Sequence, residues 1–245
     1  MNKIEKKFNE IRLFCEQHAN EAIVKKYSKF FTEGYNAYGL SQEIFETQRD
    51  KWIVDWKNEM NIDDYLALGE KLVSSGKYEE ASFAITFIIC QLESLEPKMF
   101  EVFELWLSDY ILNWAHTDVL SGRILYHFIK TKMANPGQFK PWTNSPSVWK
   151  RRAVPVTFVE VLKEKFDIQL LLGIIEPLMT DKEKKVQQGL GWFLREAWKI
   201  SPVEIEIFLK KWKDTCGRTI VQYATEKMDK NHRLQFRKEK NKFTD

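Results

Sequence analysis

The sequence predicts an all-α protein, an α-α superhelix (HEAT-like or ARM-like solenoid) of stacked antiparallel helix pairs, curved with a concave basic face. Apolar residues recur at helical spacing along most of the chain. The 245 residues include only 10 Gly and 7 Pro, and no run of alternating strand residues ends in an Asn-Gly or Asp-Gly turn. Small residues also recur at a 36-residue step.

The predicted helices follow one another with recognisable start signals. Ser41 and Asn61 each place a small polar cap before an acidic first turn. Pro97 and Pro202 stand where a first helical turn tolerates proline. The segments with apolar residues at i, i+3, i+4 and i+7 are Glu43–Asn58, Asp63–Ser74, Tyr78–Ser94, Met99–Leu112, Val148–Lys165, Lys184–Lys199 and Val203–Trp212.

The repeat is weak but regular. Ala81, Ala153 and Gly189 each follow two polar or charged residues and precede an apolar run. They are 72 and 36 residues apart, and the same step puts 114–118 in the missing unit. A small residue at this place suits close helix–helix approach. The consensus pattern of TPR units is absent, which favours the HEAT-like variant.

One segment interrupts the helical pattern. Residues 133–146, the centre of a connection spanning 131–147, contain Pro136, Pro141 and Pro146 together with turn-favouring polar residues. This composition predicts either a loop or a poorly formed short helix.

Charge divides the chain, which we expect to form a single domain over 1–245. Residues 1–112 carry 13 Lys and Arg against 20 Asp and Glu, a net charge of −7, whereas residues 113–245 carry 25 against 15, a net charge of +10. The basic half suggests a polyanionic partner, although ordinary solvated helix faces explain the charge equally well. We expect the functional site in 113–228 and a basic, frayed tail over 229–245.

Several classes of protein are excluded or disfavoured. No run approaches 18 apolar residues, and the charged N-terminus has no secretory apolar region. The three widely spaced cysteines cannot form a disulfide framework, so we expect a cytoplasmic protein. Phosphate-binding glycine motifs are absent and the four histidines form no ligand pair, so no cofactor and no metal are expected.

Two tryptophan motifs and a basic motif stand out. Trp114 and Asp118 are four residues apart and share one face of a helix. Trp192 follows a Gly-Leu-Gly run, and a Trp-Lys-Arg-Arg sequence at 149–152 lies between the two motifs. Each motif also has a structural explanation: tryptophans pack in cores, an aspartate pairs with an arginine, and arginines cover a solvated helix face.

Together the motifs resemble the DNA alkylation repair family, the AlkD-like DNA glycosylases. The resemblance is best from Trp106 to Met228 and weaker over residues 20–50. The segments that carry it are Val148–Ala153, Gln188–Glu196 and Arg218–Ala224. The family fold is an all-helical HEAT-like solenoid, in agreement with the repeat.

The resemblance implies a monofunctional glycosylase that cuts the N-glycosidic bond of N3- or N7-alkylated purines in double-stranded DNA. We expect a monomer, because nothing in the sequence demands a larger assembly. The family's catalytic tryptophan and aspartate fall on Trp114 and Asp118, and its second tryptophan on Trp192. The family's DNA-contacting arginine falls on Arg152, and other family positions match Arg195, Arg218 and Tyr27. The expected DNA-binding residues are Arg152, Arg151, Lys150, Arg195, Arg218 and Tyr27.

The residue types suit this chemistry. An alkylated purine is cationic and already a good leaving group, so no proton donor is required. Aromatic faces attract a cationic base or sugar, and a carboxylate stabilises the positive charge that develops on the sugar. The alternative is a catalytically inactive HEAT-like solenoid that binds DNA structure or a protein partner. It predicts a buried salt bridge at Asp118 and core positions for Trp114 and Trp192.

Overall fold

The computed structural model describes residues 2–238, whose regular secondary structure is entirely helical, with turns and irregular segments between the helices and no strand. The all-α prediction is confirmed for this part of the chain. Within it, no helix combines the length and the apolar character needed to cross a bilayer. Of the predicted basic tail, residues 239–245 lie outside the described residues.

The chain divides after His127 into two compact units. In the N-terminal unit, the two predicted caps are present: Ser41 Oγ accepts the N–H of Ile44, and Asn61 and Asp64 form a reciprocal capping box. The helices of this unit are α1 (Lys3–Gln17), α2 (Glu21–Ser28), α3 (Gln42–Trp56), α4 (Ile62–Ser74), α5 (Tyr78–Ile89), α6 (Phe100–Leu105) and α7 (Trp114–Val119); the division falls within α8 (Tyr126–Lys130).

Helix α5 lies at the centre of the N-terminal unit. It packs against α1, α3, α4 and α7. Its Phe83 and Phe87 meet Trp52 and Trp56 of α3, and the two indoles stack 5.3 Å apart. Burying an aromatic side chain of this size contributes about 2–3 kcal/mol. The resulting rigid cluster fixes α5, which in turn positions α7.

Helix α11 has the same central place in the C-terminal unit. The glycines of its Gly-Leu-Gly run face two different neighbours. A Cβ on Gly189 would lie 3.1 Å from Val156 of α9, and a Cβ on Gly191 would lie 2.5 Å from the Cβ of Tyr223 in α13. The expected close approach at the small repeat residue is therefore present at Gly189. The helices of this unit are α9 (Val148–Val161), α10 (Ile168–Ile175), α11 (Lys184–Trp198), α12 (Pro202–Trp212), α13 (Arg218–Ala224) and α14 (Lys230–Arg233).

The proline-rich segment is a short 3-10 helix, Pro136–Asn144, rather than an open loop. Asn135 caps it by accepting the N–H of Gly137. Phe139 and Trp142 are buried, so the segment contributes to the core. The prolines prevent a regular α-helix, but their fixed φ angle suits this tighter turn.

Candidate functional site

Trp114 and Asp118 lie one turn apart on α7, as predicted. Asn113 caps the N-terminus of the helix, because its Oδ1 accepts the N–H of His116 at 2.9 Å. Both Trp114 and Asp118 are partly exposed, so neither belongs to the core. Trp192, in the middle of α11, is also partly exposed.

The indole of Trp114 is held by the segment that follows α2. Its Nε1 donates to the carbonyl of Phe30 at 3.1 Å. One face packs on the ring of Phe31 at a centroid distance of 5.8 Å and an interplanar angle of 18°. Phe31 stacks in turn on Tyr35 at 4.6 Å. The orientation of Trp114 is thus determined by residues far from it in sequence.

These rings border a cleft of about 520 Å³ within the N-terminal unit, which we call the aromatic cleft. Sequence reasoning identified Tyr27 and Trp114 but missed the others, although the run Tyr27-x2-Phe30-Phe31-x3-Tyr35 concentrates four rings in nine residues. The aromatic residues that line the cleft are Tyr27, Phe30, Phe31, Tyr35, Phe45, Tyr78 and Trp114.

A buried carboxylate fixes one wall of the aromatic cleft. Glu79, 4% exposed, accepts the backbone N–H groups of Tyr38, Gly39 and Leu40 at 2.8, 2.7 and 3.2 Å. Gly39 has φ +85°, and a Cβ there would overlap the carbonyl oxygen of Asn20. Only glycine fits this close approach.

The neighbouring Glu80 is fully buried and forms a second anchor. Its carboxylate accepts Nε and Nη2 of Arg12 at 3.1 and 3.3 Å and the hydroxyl of Tyr38 at 2.7 Å. The hydrogen bond with Glu80 is the largest cause of the raised pKa of Arg12. Removing Arg12 would leave the buried carboxylate of Glu80 without its cation; because the arginine side chain is 40% exposed, the expected cost lies below the roughly 3–5 kcal/mol of a fully buried pair.

His116 ties α5 to the start of α7. Its Nδ1 accepts from Asn113 Nδ2 at 2.8 Å, so the ring proton resides on Nε2, which faces Ser82 Oγ at 2.8 Å. The ring stacks on Tyr78 at 4.4 Å. Burial lowers the pKa of His116 to about 3. A histidine with this pKa is neutral at physiological pH and acts as a structural tie rather than a proton donor.

Wide helical turns flank α7. Residues Trp106–Tyr110 and Leu120–Leu125 form π-helical turns, and the N–H of Tyr126 donates to the carbonyl of Ser121, five residues back. Such turns interrupt the regular helical period and occur frequently at functional sites. Period-based reasoning does not detect them, because their apolar residues still fall close to one face.

Two of the predicted DNA-binding arginines make structural contacts in the C-terminal unit. Arg152 is 5% exposed, and its Nη1 donates to the carbonyl of Lys185 at the start of α11. Arg151 pairs with Asp181 at 2.6 Å and donates to the carbonyl of Ser145 at 2.7 Å. These contacts hold α9 against the elements around it. A contact with DNA remains a prediction for both residues.

The other predicted DNA-binding residues are all at least partly exposed. Arg218 is exposed at the first position of α13, and Lys150 lies 5.4 Å from the ring centroid of Trp142. Arg195 is paired with Glu226 at 2.6 Å. In the N-terminal unit, Tyr27 is 40% exposed.

We expect Trp114, Asp118, Arg152 and Trp192 to line one concave, electropositive groove, and this groove stays a prediction. Trp114 and Asp118 belong to the N-terminal unit, whereas Trp192 and Arg152 belong to the C-terminal unit.

Metal and thiol chemistry find no support in the described part of the chain. Residues 2–238 contain no group of three or more His, Cys, Asp or Glu side chains placed to hold a metal ion. Cys15, Cys90 and Cys216 are free thiols, and burial raises the pKa of each. A raised pKa disfavours the thiolate, which is the nucleophilic form.

Several solved structures share this fold. A protein of Enterococcus faecalis, described as a predicted DNA alkylation repair enzyme, is 15% identical with a TM-score of 0.76, covering 87% of this chain and 98% of that one. AlkD2 from Streptococcus mutans is 21% identical with a TM-score of 0.59, and the match covers 85% of this chain and 99% of AlkD2. The protein smu.31 of Streptococcus mutans UA159 is 22% identical with a TM-score of 0.57, and the match covers 75% of this chain and 92% of smu.31.

The sequence itself gives a family match. No curated relative matches the chain. The family model described as DNA alkylation repair enzyme, however, matches residues 12–228, which is most of the chain and includes α7, α9 and α11. The resemblance carried by the tryptophan motifs is thereby confirmed, and the chain belongs to the DNA alkylation repair enzyme family.

Proposed function

We propose that this protein is a monofunctional DNA glycosylase that hydrolyses the N-glycosidic bond of N3- and N7-alkylated purines in double-stranded DNA. The observation that carries the proposal is the pair Trp114 and Asp118, one turn apart on α7 and both partly exposed, in a chain of the DNA alkylation repair family.

The reaction needs no protonation of the base. Alkylation at N3 or N7 makes the purine cationic, so it leaves as a neutral molecule when the bond to C1′ breaks. Water adds to C1′ and loses a proton. A reaction without a proton donor fits this site, because His116 is buried with a pKa of about 3 and cannot supply a proton at neutral pH.

Asp118 is the electrostatic centre of the proposed mechanism. Positive charge develops on the sugar as the bond breaks, and one well-placed group of this kind contributes about 3 kcal/mol to transition-state stabilisation. The same carboxylate orients the attacking water. Anchoring of α7 through Asn113 and His116 supports this role, because electrostatic stabilisation requires a carboxylate that is already in place.

Trp114 contributes an aromatic surface next to the carboxylate. Its Nε1 and one face are occupied by Phe30 and Phe31, and part of the indole remains accessible. Contact between such a surface and a cationic base or sugar is worth roughly 0.5–2 kcal/mol. Trp192 provides a second surface of the same kind in this proposal.

DNA is held through its phosphates. Arg218 is exposed and Lys150 is partly exposed, whereas Arg152 and Arg151 also position α9 and α11. Contacts of this kind are independent of sequence and sensitive to salt. The proposed enzyme works as a monomer in the cytoplasm, without metal or cofactor.

The test measures the release of alkylated bases from methylated DNA by the wild type and by the Asp118→Asn variant. We expect release by the wild type, a loss of about 100-fold in the variant, and unchanged DNA binding. Asp109→Asn, at an exposed carboxylate shortly before α7, is the matched control and should keep full activity.

Absence of release by the wild type, with salt-sensitive DNA binding, would contradict the proposal in favour of the inactive binding solenoid. The partial exposure of Trp114 and Trp192 already disfavours that alternative, which requires both in the core.

A further inference from the structure

Phe31 packs on the indole of Trp114 from the connection that follows α2, and it is absent from the site predicted from the sequence. We propose that Phe31 is a positioning residue for base release, which holds the indole of Trp114, together with the carbonyl of Phe30, in the orientation that the reaction needs. The inference rests on the proposed function, because it takes Trp114 as the aromatic surface beside the reacting base and sugar.

The first argument is that two contacts act on different parts of the indole. The ring of Phe31 lies nearly parallel to that of Trp114, at a centroid distance of 5.8 Å and an interplanar angle of 18°. At the polar edge, Nε1 of Trp114 donates to the carbonyl of Phe30 at 3.1 Å. A tryptophan side chain turns about two bonds, and a contact on the ring face combined with a hydrogen bond at the ring edge restricts both.

The second argument is that Phe31 is itself held in place, since it is only 8% exposed. Its ring stacks on Tyr35 at 4.6 Å and meets Tyr78 edge-on at 5.4 Å. The ring of Tyr78 also stacks on His116 of α7 at 4.4 Å. This group of rings therefore contacts α7 at both Trp114 and His116, so it fixes the indole relative to the helix that carries it.

The third argument concerns residues 29–41, which connect α2 to α3 without regular secondary structure. The N–H of Tyr78 donates to the carbonyl of Asn36 at 2.8 Å, and Glu79 accepts three consecutive backbone N–H groups of the connection. Both anchors come from the first turn of α5, the central helix of the unit. Phe31 thus belongs to a connection tied to the core, and a catalytic group requires this kind of support to stay in a productive geometry.

The test is a double-mutant cycle on the single-turnover rate of base release from methylated duplex DNA. Phe31→Leu keeps apolar volume but removes the ring, and we expect it to lower this rate about tenfold while affinity for the duplex changes by less than about twofold. In a Trp114→Ala background the same substitution should cause no further loss, because Phe31 acts through the indole. Phe14→Leu is the matched control: Phe14 packs against Trp52 in the same unit, at 5.3 Å, and the rate should not change.

A second readout does not depend on activity. In protein labelled with 5-fluorotryptophan, the fluorine resonance of Trp114 is assigned by its loss in Trp114→Phe. This resonance should move in Phe31→Leu, because the ring current of Phe31 is removed, and it should stay in place in Phe14→Leu. Phe31→Met is a second variant without the ring, for use where Phe31→Leu is unstable.

Three results would each overturn the inference: an unchanged rate in Phe31→Leu, an equal further loss in the Trp114→Ala background, or an unmoved Trp114 resonance. With release by the wild type, any of them would leave the proposed glycosylase intact. Absence of release by the wild type would refute the glycosylase and, with it, a positioning role in base release, whatever the resonance shows.

Discussion

At the scale of single residues, His116 holds the start of α7 in place and stays neutral at physiological pH. Its ring is enclosed by Asn113, Ser82 and Tyr78, and it lies between Trp114 and Asp118 on α7. Burial favours the neutral ring, and the resulting low pKa links the stability of the fold to pH.

The pKa of His116 is about 3 in the folded protein, below its ordinary value of 6.5. The unfolded chain therefore binds the proton more strongly, and stability is lost as pH falls from about 6.5 towards 3. From this residue we expect a loss of about 2 kcal/mol between pH 7 and pH 5. Urea unfolding at several pH values measures the slope, which His116→Gln should reduce and the exposed-site control His18→Gln should not. An unchanged slope in His116→Gln would contradict the assignment.

Glu79 is the second residue whose chemistry sets local structure. Glu79→Gln places an amide against backbone N–H donors, leaving at least one buried donor without an acceptor. We expect the free energy of unfolding to fall by about 2–3 kcal/mol. The measurement is urea denaturation, with Glu93→Gln as the control at a glutamate outside the core. Equal stability of the two variants would show that the carboxylate does not hold the segment.

Sequence could place Trp114 and Asp118 on one face of a helix because that relation depends only on residues four apart. It could not predict the aromatic cleft. The bond from Trp114 to Phe30 joins residues 84 positions apart, and a hydrophobic pattern does not specify which distant segment supplies a carbonyl. The contacts of Arg152 with α11 were missed for the same reason.

At the scale of elements, the helices that sequence predicted best are those with local start signals. Helices α3 and α4 begin at their predicted caps, Ser41 and Asn61, within a residue or two of the expected segments. The segment Met99–Leu112 was less accurate, because it changes from α6 to a π-helical turn at Trp106. A change of hydrogen-bond register has no residue signature comparable to a cap.

The packing of α11 on α13 supplies a test of close helix approach. A Cβ on Gly191 would lie 2.5 Å from Tyr223 Cβ and 2.9 Å from the carbonyl oxygen of Ile220. Gly191→Ala must separate the helices, and we expect destabilisation of about 1–3 kcal/mol. A methyl group added at Gly173 in α10 would meet no neighbouring side chain or helix within 4 Å, so Gly173→Ala should stabilise by up to about 1 kcal/mol. Thermal unfolding measures the stability of both variants. A Gly191→Ala variant as stable as the wild type would contradict the close contact.

At the scale of the whole molecule, the charge asymmetry bears on DNA binding. If the net +10 of residues 113–245 reflects contacts with phosphates, affinity for DNA should fall about tenfold or more between 50 and 200 mM salt.

Arg218→Ala should reduce the slope of log affinity against log salt by about 1, whereas Arg49→Ala in the acidic half should not. Binding that is independent of salt would assign the charge to ordinary solvated helix faces.

The anchor at Glu79 has a consequence for how this site diverges in evolution. Its three donors are main-chain groups, so positions 38 and 40 can change identity without loss of the anchor. Position 39 cannot, because any side chain there meets the carbonyl of Asn20. Relatives that share this anchor are therefore expected to retain a glycine and a glutamate forty positions apart while the sequence around them drifts.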